Sequence, residues 1–179
     1  MSSRMVRTLV VFLALGLIYL VVNRGAFFGY TWETYNSPDG RFSVELPGKP
    51  VFEEQHAQRS DGTMLTYHHV KAKPAARSMF AVAYYERSTT LDPDTIIENV
   101  RKNTAARLQA MIIGEKPLTI NGLVAREIQF QTPKNVVLTE RVIVEADRYY
   151  TLMVSTERDP SSEAQNMQRF FDSFKLTHS

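Results

Sequence analysis

The chain has 179 residues, 44% of them hydrophobic, no cysteine, and a formal charge of +2 at pH 7. Three of its 21 basic residues lie at or before Arg24, so 18 basic residues face 19 acidic ones from residue 25 onward, and that part has no basic excess with which to hold nucleic acid. Roughly 150 residues suffice for one domain with its own core, while the lack of cysteine excludes disulfide staples and a lipid-modified cysteine.

Arg4 and Arg7 precede an uncharged apolar run, Thr8 to Val22, which Arg24 closes. A charged start before an apolar stretch fits a secretory signal and a signal anchor alike. Fifteen residues are short for a spanning helix of ~20. Met5, Val6 and a snorkelling Arg7 extend the run at one end, and Gly25 to Phe28 extend it at the other. Signal peptidase requires small residues at the last and third-last positions before its cut. Cutting after Gly25, Ala26 or Gly29 puts Asn23, Arg24 or Phe27 at the third-last position, so a retained anchor over 1–28 is the expectation. The arginine excess on the N-terminal side then places the N-terminus in the cytoplasm. The 29–179 domain would lie outside it, on a bacterial inner membrane.

Residues 30–36 alternate large and polar side chains as a first strand, and Ser37-Pro38-Asp39-Gly40 reads as a turn. From Arg41 to Leu46 the alternation is strict, with Phe42, Val44 and Leu46 on one side, as in a half-buried strand. Val51 to Arg59 and Met64 to Lys73 flank Asp61-Gly62, a hairpin signal. Met79 to Glu86 is apolar on both faces and predicts a central strand covered on both sides. Asp92-Pro93 opens a helix, as N-cap and first residue. Ile97, Val100, Thr104 and Leu108 form its apolar face, and its end is expected near Met111. Pro117 to Ile120 and Val124 to Gln131 flank Asn121-Gly122, a second hairpin. Val136 to Glu145 and Tyr149 to Glu157 are further strands. Asp159 to Ser162 begins a last helix carrying Ala164, Met167, Phe170, Phe171 and Phe174. No internal repeat or low-complexity tract interrupts the series. The order predicts an α+β fold, an antiparallel sheet of about six to eight strands with helices on both faces, preceded by one transmembrane helix.

Three stretches carry a family resemblance: WETYNSPDGRFSVELPGKP from Trp32, FAVAYYE at 80–86 and RFFDSFKL at 169–176. With them the chain, over about 30–176, resembles the PsbP-like (Mog/PsbP) domains, including bacterial envelope members of the DcrB type. The resemblance implies an antiparallel sheet between helices and mostly non-enzymatic roles. Those include subunits attached to photosystem II, a partner of a small GTPase, and envelope proteins. It carries over no binding residue, because no family site motif is matched.

The first hairpin supplies the one candidate ligand set. With Asp61 and Gly62 as a two-residue loop, Glu54 falls opposite His69 and His56 opposite Tyr67. Glu54, His56 and His69 then share a face with cross-strand spacings of about 5–8 Å, enough to hold Zn²⁺ or Cu²⁺ with a water. A slip of one residue destroys the cluster. No GxSxG, P-loop, HExxH or GxGxxG occurs, and His178 lies at the chain end, so no enzymatic activity is expected. Of the pairs Tyr84-Tyr85 and Tyr149-Tyr150, one member each faces either side of a strand. The leading expectation is a membrane-anchored accessory domain that contacts the lipid bilayer through its N-terminal helix and binds another envelope protein, with no cofactor. The second is a metal- or small-ligand-binding sensor that uses the 51–73 hairpin.

Overall fold

The computed structural model describes residues 30–58, 64–75, 78–86, 91–157 and 160–177. The expected anchor over 1–28, the Asp61-Gly62 turn and His178 lie outside them. Among the described residues no helix is long and apolar enough to cross a membrane.

Among the described residues ten strands form two antiparallel sheets. Strands β1 (Trp32–Asn36), β2 (Phe42–Pro47) and the short β10 (Lys175–Leu176) make a three-stranded sheet with β2 in the middle. The seven-stranded sheet runs β3 (Val51–Gln58), β4 (Met64–Ala75), β5 (Ser78–Glu86), β9 (Arg148–Thr156), β8 (Val137–Val144), β7 (Leu123–Gln131) and β6 (Met111–Ile120). The helices are α1 (Pro93–Leu108) and α2 (Ala164–Ser173), the latter entered by a 3₁₀ turn at Pro160–Glu163.

Local chemistry explains most boundaries. Asp92 caps α1, accepting from the Thr95 amide at 2.9 Å, with Pro93 at the first turn; both satisfy helix-terminal needs. The helix stops at Leu108, three residues before the expected end, because Gln109 takes a left-handed conformation with φ 50°. The chain from Met111 onward then pairs with β7, so β6 starts six residues earlier than its sequence indicates. Asn121 and Gly122 both have positive φ, 52° and 79°. That is the two-residue hairpin turn whose twist matches its strands, and Ile120 pairs with Leu123 as expected.

The two faces of the large sheet are covered differently. On β8, Val142 and Val144 pack against Ile96 and Ile97 of α1, and Ile128, Phe130 and Leu138 extend that layer toward Ala105 and Leu108. The opposite face receives the small sheet and α2. Trp32 meets Phe80 edge-on at 6.3 Å, Phe170 meets Phe80 at 5.5 Å, and Arg141 lies over the Phe171 ring at 4.2 Å. One layer is thus a helix, and the other is a small sheet together with a helix. The expected antiparallel sheet of about six to eight strands with helices on both faces is present as the seven-stranded sheet; β1, β2 and β10 lie outside it in a second small sheet that shares the cover of one face with α2.

Phe42 sits where the layers meet. It is fully buried, and its ring centroid lies 5.3 Å from Tyr84, 5.6 Å from Tyr150, 5.5 Å from Phe174 and 6.0 Å from Tyr35. Those partners come from β5, β9, the end of α2 and β1. Phe42→Ala is expected to lower stability by roughly 3–5 kcal/mol, the range for a buried phenylalanine truncation. Urea unfolding would show a lower midpoint at unchanged slope; an unchanged midpoint would show that the ring is not a core anchor.

Candidate functional site

Strands β3 and β4 pair one residue out of the expected register. Glu53 lies opposite His69, Glu54 opposite His68, and His56 opposite Thr66. Side chains alternate across a strand, so this slip moves His69 to the far face of the sheet from Glu54 and His56. The cluster of Glu54, His56 and His69 is therefore not assembled, and among the described residues no group of three His, Asp or Glu converges to hold a metal ion.

Each face has its own polar grouping instead. On one, Glu54 stands between His56 and His68, 3.5 Å from a ring nitrogen of each, and His56 Nδ1 lies 3.1 Å from Thr66 Oγ1. The His68 ring is stacked between Tyr84, at 4.7 Å, and Phe52, at 5.8 Å. On the other face Glu53 pairs with Lys71 at 2.6 Å, which lowers its carboxyl pKa, and it lies 3.8 Å from His69. Burial, helped by the Lys71 ammonium, holds the His69 imidazole below its usual range.

The tyrosine pairs divide as strand alternation requires. Tyr84 and Tyr150 are buried against Phe42, whereas Tyr85 and Tyr149 face the α1 side and are partly exposed. Tyr85 stacks on Tyr149 at 4.6 Å with rings 4° from parallel, and on Tyr67 at 5.4 Å. The Tyr67 hydroxyl donates to Gln55. A row of three stacked tyrosines thus crosses β4, β5 and β9.

Beside this row lies the most unusual ionisable group among the described residues. Glu140, in the middle of β8, is 2% exposed, and its Oε2 has no hydrogen-bond partner. Its neighbours across the strands are Ile128 and Met153. Burial pushes its carboxyl from the ordinary 4.5 up to about 7, against the opposing effects of the Thr104 hydroxyl and the Arg107 guanidinium. Burial, then the Glu140 charge, raises the Tyr85 phenol to about 12. Glu140 is thus coupled electrostatically to the tyrosine row and to the last turns of α1. Its signal was present in the sequence: Leu138, Glu140, Val142 and Val144 recur at period two, which puts the acid on an apolar face.

Arg148 makes the second buried polar grouping. It reaches Asp39 at 2.5 Å and also Glu86, with its guanidinium 4.8 Å from the Tyr84 ring centre. Arg41 reciprocates by binding Asp147 at 2.7 Å and Glu145 at 2.9 Å. These pairs tie the Ser37–Gly40 turn to the β8–β9 turn.

A buried carboxyl with a raised pKa stabilises the fold only while protonated. The unfolded chain ionises this group near 4.5, the fold near 7. Stability should therefore fall by about 3 kcal/mol as pH rises from 4.5 to 7, and remain lower above that. Glu140→Gln keeps the shape and removes the charge, so it should flatten that part of the profile and raise the melting temperature at pH 8. A profile that declines equally in both proteins would show that Glu140 is not the titrating group.

No protein-family model and no curated protein matches the sequence. The solution structure of cyanobacterial PsbP (CyanoP) from Synechocystis superposes with a TM-score of 0.59 at 11% identity, covering 86% of this chain and 96% of that one. A Pseudomonas aeruginosa protein of unknown function superposes with a TM-score of 0.42 at 13% identity, over 80% of this chain and 93% of that one. The first likeness extends over nearly the whole cyanobacterial domain, and the chain has the PsbP-like fold.

Proposed function

We propose that the chain is a single-pass envelope protein of the DcrB type. Its N-terminal anchor presents the PsbP-like domain outside the cytoplasm, where the domain binds another envelope protein without catalysis. The reading of 1–28 rests on the Arg4/Arg7 start, the Thr8–Val22 apolar run and the unsuitable residues before each possible cut. The reading of the domain is carried by the row Tyr67, Tyr85 and Tyr149. Stacked, partly exposed tyrosines present large rigid area with a polar edge, which suits protein recognition. The metal-sensor reading loses its basis with the register of β3 and β4.

The anchor is tested by washing membranes with alkaline carbonate. The full chain should stay with the bilayer, and a form starting at residue 29 should be released; release of both would remove the anchor. Binding is tested by crosslinking in intact cells, followed by mass spectrometry. The full chain should enrich a defined envelope protein, and Tyr85→Ala should reduce its recovery tenfold or more, as for a central aromatic contact. If the wild-type chain enriches no envelope partner, the interaction reading fails.

A further inference from the structure

The two edges of the seven-stranded sheet are built differently. The β6 edge carries Pro117 and Lys116 and has a register break between Ile112 and Gly114. Proline, lysine and bulges are among the features that blunt an edge against further pairing, as charged side chains in general do. The β3 edge has none of the first three. Its sequence, VFEEQHAQ, holds no proline and no lysine, and eight consecutive residues pair with β4 without a break. Among the described strands, only β4 neighbours β3, so one row of its backbone N–H and C=O groups has no strand beside it. Val51 and Phe52 are also 48% and 41% exposed at its start.

We propose that this edge pairs with the same edge of a second copy, antiparallel about a two-fold axis normal to the sheet. The two sheets would join into one of fourteen strands. A two-fold of this kind keeps equivalent faces together, so residues directly opposite differ by an even number of positions. Few registers meet that condition. Centring on Glu54 sets two carboxylates face to face, as does centring on Glu53, and like charges directly opposite are destabilising. Centring on His56 leaves only five residues of each strand paired. Centring on Gln55 pairs residues 52–58 of both copies. It sets Glu54 opposite the other copy's His56 twice and places the Gln55 amides across the axis. Pairing of a carboxylate with an imidazole, rather than with another carboxylate, and length of overlap therefore select the same register. Within one chain the Glu54 carboxylate and the His56 Nε2 lie 3.5 Å apart with both side chains about half exposed, so in the pair the same two groups can exchange partners across the axis. This edge adjoins the tyrosine row through Gln55, which accepts from the Tyr67 hydroxyl, but self-pairing uses the β3 backbone and partner binding the Tyr85 and Tyr149 rings, so each has its own test.

The chain has no cysteine, so single substitutions report contacts cleanly. The probe is the full-length chain in detergent micelles under mild copper-phenanthroline oxidation, resolved on non-reducing gels. Gln55→Cys should form a covalent dimer in high yield, since directly opposite Cα atoms lie about 4.5–5.5 Å apart, within disulfide reach. Glu53→Cys should give little, because its two copies would stand four positions apart along the strands. Lys116→Cys on the opposite edge should give none. Glu54→Lys introduced into the Gln55→Cys background should cut the dimer yield severalfold, and adding His56→Glu should restore it. A Gln55→Cys chain that stays monomeric overturns the proposal. So does equal crosslinking of Gln55→Cys and Glu53→Cys, which would indicate chance collision within micelles. A wild-type chain that sediments as a monomer at every concentration tested would overturn it as well.

Discussion

The fold depends on closing the small sheet over one face of the large one, and the Phe42 ring is where that closure happens. Strand β2 is only six residues long and contributes three fully buried apolar side chains, Phe42, Val44 and Leu46. With β10 only two residues long, the small sheet is little more than the β1–β2 hairpin, and an isolated hairpin is marginal at best. Its stability comes from tertiary contact. Phe42 inserts among Tyr84 and Tyr150 of the large sheet and Phe174 at the end of α2. The ring contacts are tilted or edge-on rather than stacked, the arrangements that the aromatic quadrupole favours. Ser173 Oγ accepts from the Glu45 amide at 2.9 Å, and β10 pairs with β2, so the segment after α2 is tied to the β1–β2 hairpin. Two of the Phe42 partners, Tyr150 and Phe174, lie more than a hundred positions along the chain. Such non-local closure is slow and cooperative.

Electrostatics reinforces the same junction from its rim. Arg41 and Arg148 each reach across to the other's turn: the hydrogen bond from Arg41 lowers the Asp147 carboxyl, and Asp39, against its burial, is lowered by hydrogen bonds from Ser37 and then Arg148. The two pairs differ in kind. Arg41–Asp147 is largely exposed and weak on general grounds. The Arg148 side chain is 5% exposed, and a charge so buried needs its partners simply to offset desolvation. Its contribution is therefore to orientation, holding Tyr84 beneath the guanidinium and Asp39 at the turn. On the opposite face Glu140 has only the Thr104 hydroxyl and the more distant Arg107 charge in compensation: one carboxylate oxygen is left without a partner, and burial raises the carboxyl to about 7. The two faces thus handle the burial of charge differently, one by ion pairing and the other by a shift toward the protonated form.

Strand and helix types were largely legible in the sequence, because period-two alternation and the Asp92-Pro93 start carry direct physical meaning. The Asn121-Gly122 hairpin has the expected register because Asn and Gly can both take positive φ. Two features resisted reading. The start of β6 was hidden, since Met111 to Gly114 has a pattern compatible with the end of a helix; the left-handed Gln109 separates the two. Strand β10 is two residues long, too short to show any period. The site was less legible than the fold. Tyr84 and Tyr85 are adjacent and chemically alike, and only the layers around them decide which is core and which is surface. Glu140 stood on an apolar stripe in plain sequence, but alternation alone does not tell a buried acid from a strand with one solvated position.

The β3–β4 hairpin shows how much rests on a single residue of register. One slip sends His69 to Lys71's side and brings His68 onto the face of Glu54 and His56. There the ring does not reach outward as a ligand would. It is held flat between Phe52 and Tyr84, extending the aromatic layer that starts at Phe42 out to the sheet edge. The consequence is that β3 is not a loosely attached flap. Phe52 packs on His68, His68 on Tyr84, and Tyr84 on Phe42, so the edge strand is coupled ring by ring to the core. An edge held in this way keeps its backbone groups aligned in an extended line, and such alignment is what allows a further strand to add without first ordering the one it meets.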